Sequence, residues 1–174
     1  MREFAAEPPI EKCIAEPLRA SDATVATAES CTGGLIGSYL TDVPGSSDYF
    51  DRTLATYSYE SKMDLVGVAR ETLDEHGAVS EPVARQMARG VRDTAGTTWG
   101  VSTTGIAGPD GGSADKPVGT VFIGVAYRGE WGTQDSFARV HRHEFDGTRT
   151  EVKEQIARQA LEDLLTAVEG KRRQ

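Results

Sequence analysis

Cysteine, histidine and lysine are all scarce in this chain of 174 residues. There are two cysteines (Cys13, Cys31), three histidines (His76, His141, His143) and five lysines against 14 arginines. Two cysteines cannot build a zinc site, and nothing else in the sequence suggests export to an oxidising compartment. No apolar run approaches the roughly 18 residues of a membrane span. The opening MREFAAEPPIEKC is acidic and has no apolar centre of the signal-peptide kind. A soluble cytoplasmic protein without a membrane partner is the expectation. The GxxxxGK[ST] and GxGxxG patterns are both missing, which argues against ordinary ATP or dinucleotide binding. Internal repeats and low-complexity segments are missing too.

Positive charge is also in short supply. Nineteen Lys and Arg face 27 Asp and Glu, for a net charge of −8. A nucleic-acid footprint needs clustered basic residues, so no nucleic-acid partner is expected. The closing Lys171-Arg172-Arg173 reads as a solvated tail. An acid-rich, lysine-poor surface suggests a high-salt cytoplasm, because strong net charge keeps proteins soluble. The length and a 38% hydrophobic content suit a single domain with a core spanning about 8–169.

The most informative stretch is 24–40, TVATAESCTGGLIGSYL. A β-favouring run meets Glu29-Ser30-Cys31-Thr32 and then Gly33-Gly34, and an apolar-periodic segment follows. That pattern predicts strand, sharp turn, helix. Small nucleophile-type side chains then sit where backbone N–H groups gather at a helix N-terminus. Such a turn can hold a phosphate, form an oxyanion hole, or do both.

Elsewhere, periodicity and turn chemistry predict helices over 8–20, 33–42, 60–66, 70–76 and 80–94, and from 146 onward. Strands are predicted over 24–29, 50–58, 99–104, 118–127 and 133–142. The last two strands read as a hairpin joined at Arg128-Gly129-Glu130, and Ser80 reads as an N-cap. Early alternation and a late hairpin predict an α/β fold. Its form would be a three-layer α/β/α sandwich with a mixed, mostly parallel sheet. The segments 29–34, 57–62 and 104–109 all fall at strand ends, where sites form in such sheets.

Ser30 is the first candidate nucleophile, and a serine hydroxyl needs a base. His76 reads as a capping or exposed residue. His141 and His143 share a strand face, but no carboxylate or cysteine pattern completes a metal site, so no metal is expected. Lysine is the other base. By spacing alone Lys62 reads as an exposed helix lysine and Tyr57 as a core residue. The functional alternative is a desolvated Lys62 acting as base, held by Tyr57, which relays the proton. Cys31 is a rival nucleophile, with its side chain expected to point away from that of Ser30. Cys13 reads as a packing residue on the first helix. The loop TTGIAGPDGGSADK is a surface turn or a phosphate- and ribose-binding loop. Arg149, at the start of the last helix, is either solvated or turned toward a phosphate.

Seven pieces occur in order: TAESCTGG (27–34), LTDVPGSS (40–47), YS-x-E-x-K (57–62), HGAVSE (76–81), TGIAGPDGG (104–112), KPVGTV (116–121) and G-x-R (147–149). Together they resemble the C-terminal domain of the competence/damage-inducible protein CinA, whose stand-alone relatives are nicotinamide-nucleotide amidases. The resemblance implies an α/β/α fold without a cofactor. The implied reaction is hydrolysis of the carboxamide of a pyridine mononucleotide, giving nicotinate mononucleotide and ammonia. It also implies Ser30 as nucleophile, with Lys62 and Tyr57 as base and relay. Thr104 and Arg149 would hold the substrate, while Thr32, Gly33, Gly34 and Gly105 would form or shape its pocket. A homo-oligomer is implied as well, acting either as a stand-alone form or as half of a split pair. Tyr59 stands where relatives commonly carry Asn, which bears on substrate preference. A non-catalytic nucleotide-binding regulatory domain is the alternative reading.

Overall fold

The structure is a computed structural model that describes residues 3–173. In chain order its elements are α1 (Ile10–Ala20), β1 (Val25–Glu29), α2 (Leu35–Thr41), β2 (Phe50–Ala55), α3 (Tyr59–Val66) and α4 (Arg70–His76). There follow α5 (Glu81–Ala95), β3 (Trp99–Gly105), β4 (Thr120–Tyr127), β5 (Phe137–Glu144) and α6 (Arg149–Arg172).

The five strands form one sheet in the order β2-β1-β3-β4-β5. β1 pairs in parallel with both β2 and β3; the β3–β4 and β4–β5 pairs are antiparallel. The sheet is therefore mixed, but its pairings divide evenly rather than being mostly parallel. The hairpin supplies both antiparallel pairs, because β4 docks directly on the central strand β3.

Alternation along the strands feeds two cores. Val25, Val101, Val121, Ile123 and Val125 face α1, α2 and α6, where Ile14, Leu18, Ile36, Leu40, Ile156, Leu161 and Leu164 close the larger core. Ala26 and Ala28 face the other way, toward Val66, Leu73, Val83, Met87 and Val91 of α3, α4 and α5. Three layers result. Ser102 on β3 donates its hydroxyl to the Ala84 carbonyl at 2.7 Å, pinning α5 to the sheet.

On the larger side the packing includes a buried ion network. Arg158 of α6, 5% exposed, donates to Glu154 at 3.0 Å and to Glu11 of α1 at 3.2 Å, and stacks over Tyr39 of α2. One cation thereby ties three helices together.

Several local expectations need correction. Ser80 occupies the N-cap position of α5, but its hydroxyl donates backward to the Gly77 carbonyl instead of accepting from the helix. The last strand begins at Phe137, not near 133, so the connection after β4 is a longer loop than three residues. Lys171 and Arg172 do not lie in a tail. They end α6, with Lys171 over the Tyr127 ring and Arg172 paired with Glu16. Cys13 lies on α1 as expected, half-buried.

Candidate active site

β1 ends at Glu29, and Ser30 follows directly, its N–H donated to the Thr103 carbonyl of β3 at 3.0 Å. The chain then turns into α2 through Gly34, whose φ of 99° lies in the left-handed region that glycine adopts without strain. The first turn of α2 is not left open for a ligand. Glu29, fully buried, accepts the N–H groups of Gly34 at 2.9 Å, Ile36 at 3.2 Å and Gly37 at 3.0 Å. Thr27 adds a hydroxyl donor at 3.1 Å. A side chain of the preceding strand thus satisfies the donors and sits at the positive end of the helix. This residue was missed in the sequence; its only signal was a carboxylate at the end of an otherwise apolar strand.

Lys62 arrives from α3. Ser58 caps that helix by accepting the Ser61 N–H at 3.0 Å, which orients the first turn. Lys62 is 1% exposed. Its Nζ donates to the Thr56 carbonyl at 2.7 Å, to the Tyr57 carbonyl at 3.2 Å and to Ser30 Oγ at 3.1 Å. Burial lowers its pKa from 10.5 to about 8, because desolvation disfavours the ammonium; the nearby Cys31 sulfur opposes this weakly.

The plain structural reading of this pair is inverted. Lysine is the core residue, and the Tyr57 side chain is 68% exposed. Tyr57 lines the same cavity, but it touches Lys62 through its carbonyl and not its phenol.

Cys31, beside Ser30, is a buried member of the larger core. Desolvation pushes its thiol up to about 12, outweighing a hydrogen bond with Thr103. A thiol held protonated is a weak nucleophile.

Ser30, Tyr57, Lys62, Thr104, Gly105 and Arg149 line one cavity of about 300 Å³, together with Cys31, Ala78, Val79, Ile106, Ala107, Gly108, Asp110 and Gly111. Segments 29–34, 57–62 and 104–109 converge there. Thr104 donates to the Ala78 carbonyl at 2.7 Å, and Arg149 donates to the Gly108 carbonyl. A Cβ on Gly105 would lie 2.7 Å from the Thr120 carbonyl oxygen, so the neighbouring strand demands glycine there. Tyr59 accepts the Ala78 N–H at 3.3 Å, tying α3 to the 77–80 connection on the rim.

Thr32, Gly33 and Gly34 do not line the cavity. Thr32 is buried against Thr103 at 2.8 Å. Ala78 and Val79, within HGAVSE, reach the cavity although small apolar side chains carry no chemical signal in the sequence. A wider hollow, about 960 Å³, opens beside Arg92, Arg128 and Trp131; it contains no buried lysine facing a hydroxyl.

A second correction concerns the histidines. His141 and His143 do share a face of β5, but a carboxylate completes the cluster: Asp163 arrives from α6, with Oδ2 3.3 Å from a ring nitrogen of each. His76 ends α4 beside Glu75, as a partly exposed residue.

The model of the CinA C-terminal domain matches residues 7–168. The chain belongs to the CinA C-terminal domain family. A CinA-like protein of Salinibacter ruber is 52% identical over 154 residues, covering 88% of this chain but 36% of that protein. The chain spans about a third of the length of the first curated CinA relatives it matches. The nicotinamide-nucleotide amidohydrolase PncC of Escherichia coli K12 is 48% identical over 87% of this chain and 88% of its own length. Among solved structures, the competence/damage-inducible protein CihA of Agrobacterium tumefaciens has a TM-score of 0.84 at 40% identity, covering 92% of this chain and 93% of that one. A CinA superfamily protein of Klebsiella pneumoniae has a TM-score of 0.85 at 31% identity, with coverage of 92% and 96%. These two solved structures share the fold over most of the sandwich described here. Among the described residues, no helix of this member is long and apolar enough to cross a membrane.

Proposed function

We propose that this chain hydrolyses the carboxamide of nicotinamide mononucleotide to nicotinate mononucleotide and ammonia, with Ser30 as nucleophile and Lys62 as its base. The observation that carries the reading is the set of three partners around Lys62 Nζ. A neutral amine has two N–H donors and one lone pair. The Thr56 and Tyr57 carbonyls occupy the two donors, which leaves the lone pair facing Ser30 Oγ at 3.1 Å. A pKa near 8 makes the neutral form accessible close to physiological pH.

In the forward step Ser30 Oγ bonds to the carboxamide carbon while its proton passes to Lys62 Nζ. The carbonyl oxygen becomes an oxyanion. The C–N bond then breaks, Lys62 returns the proton to the departing nitrogen, and ammonia leaves a nicotinoyl ester on Ser30. Water attacks that ester, giving its proton to Lys62. The acyl C–Oγ bond breaks as Lys62 returns that proton to Ser30 Oγ, and the acid product departs as its carboxylate, its proton lost to solvent. The N–H of Cys31, which lines the cavity next to Ser30, stands outside the set that Glu29 engages, and is the backbone donor this reading assigns to the oxyanion. Arg149 uses an N–H on Gly108; a guanidinium carries five, and the rest suit the nucleotide phosphate. Binding at the phosphate, remote from the reacting carbon, then holds the amide in place. In this reading Tyr57 acts through its carbonyl, the exposed phenol covering the substrate.

The 48% identity to an amidohydrolase of this name, along nearly the whole length of both chains, supports the same assignment. A cytoplasmic, homo-oligomeric enzyme suited to high salt fits the composition and the family resemblance. The test is ammonia release from nicotinamide mononucleotide by the wild type, Ser30→Ala and Lys62→Ala. Turnover in the wild type and its loss in both variants, with binding kept in Ser30→Ala, is the expected result. Tight nucleotide binding without turnover in the wild type would instead establish a regulatory binding domain.

A further inference from the structure

The cluster His141, His143 and Asp163 lies outside the amidase site. Asp163 follows Arg149 on α6 by 14 residues, or about 21 Å at 1.5 Å per residue. We propose that these three side chains bind a single divalent zinc ion, clamping the edge strand β5 to α6.

One ligand atom from each residue lies within 4.8 Å of the other two. Asp163 Oδ2 is 3.3 Å from His141 Nδ1 and 3.3 Å from His143 Nε2. A tetrahedral zinc with bonds of about 2.0–2.1 Å separates its ligand atoms by about 3.3–3.4 Å. An octahedral ion with similar bonds separates neighbouring ligand atoms by about 2.8–3.0 Å. The two Asp163 separations match the tetrahedral edge; the ring nitrogens lie within 4.8 Å of each other, so the exposed His141 ring turns inward to complete the third edge. Imidazole nitrogen with one carboxylate oxygen is also a donor set that zinc accepts, and a poor one for magnesium or calcium.

The surroundings hold the ligands in place. The Asp163 side chain is 9% exposed, and its other oxygen, Oδ1, accepts the Gln159 amide at 3.0 Å. Oδ2 is thus aimed at the two rings. Such an outer hydrogen bond orients a metal-ligating carboxylate. The His143 ring stacks on Phe145 at 5.9 Å, which restrains its swing. His141, 58% exposed on its side chain, leaves the fourth position open to solvent and gives the ion its entry path.

The test uses tag-free protein stripped with chelator and titrated with Zn²⁺ alone, followed by calorimetry and thermal unfolding. One ion per chain and a higher Tm are expected. His143→Gln and Asp163→Asn should each weaken binding at least tenfold, and Gln159→Ala about tenfold. Co²⁺ should produce the strong visible absorption of a tetrahedral site in the wild type, lost in His143→Gln. His141→Ala removes a mostly exposed side chain and keeps the readout usable should the other variants unfold; it too should weaken binding at least tenfold. No binding by the wild type, or binding unchanged in His141→Ala and in the His141→Gln/His143→Gln double variant, would overturn the proposal.

Discussion

Lys62 Nζ and Ser30 Oγ lie 3.1 Å apart, each buried, one following each strand of the first parallel pair. Ser30 follows β1, and Lys62 reaches back from α3 after β2 has paired alongside β1. Parallel pairing puts the ends of both strands on one edge of the sheet, which is what allows the two groups to meet.

If Lys62 works as a neutral amine, activity follows its titration. With a pKa of about 8 the neutral fraction is about a tenth at pH 7 and about nine tenths at pH 9. kcat/KM for ammonia release should climb across that interval and level off above it. A flat profile from pH 6 to 9, with chemistry rate-limiting, would sink the role.

The same titration bears on stability, with a definite sign. The unfolded lysine keeps its proton to about pH 10.4, while the folded one releases it near 8. Between those values the unfolded state binds more protons, so stability rises with pH. The unfolding free energy of the wild type relative to Lys62→Met should therefore increase by on the order of 3 kcal/mol from below pH 8 to above pH 10. Denaturant titrations at the two ends of that range measure it.

Glu29 replaces a ligand at the start of α2. Glu29→Gln keeps the shape but turns an NH₂ group toward one of the N–H donors, and should destabilise the protein by about 1–3 kcal/mol. Because Ser30 is the next residue, kcat should fall more than KM rises. Urea unfolding and steady-state kinetics on the same variant separate the two effects.

Cys31 should prove inert. With its thiol pushed up to about 12, alkylation by iodoacetamide at pH 8 should be far slower in the folded protein than in urea. Cys31→Ala should retain turnover within roughly tenfold, its loss being one of packing. Mass spectrometry and the ammonia assay report on each. Abolished turnover in a folded Cys31→Ala would move the nucleophile to sulfur.

Arg158→Met tests the buried network between α1, α2 and α6. It leaves Glu11 and Glu154 without their shared cation, and a loss of about 3–5 kcal/mol is expected. Thermal unfolding checks this.

Local signals carried most of the chain's architecture. The i+4 stripes of α1 and α5, the β-favouring run before Ser30 and the alternation of β4 placed those elements within a few residues of where they lie. Such patterns record which side of an element faces a core, and that is a property of neighbours in sequence. The hairpin loop was harder, because its glycines suit a short turn as well as a long one.

What the amino-acid order determined alone was a set of elements and a list of hydroxyls, glycines and cations at their ends. Burial decided which of these can act. Lys62 is drawn beneath the sheet's edge and loses the solvation that keeps an ammonium charged, whereas Tyr57, the more apolar side chain, is left in water. Glu29 takes the helix donors offered to a ligand, and Asp163 meets two histidines about twenty residues before it in the chain. Desolvation and convergence depend on atoms brought near by packing, so they exist only once the layers have closed.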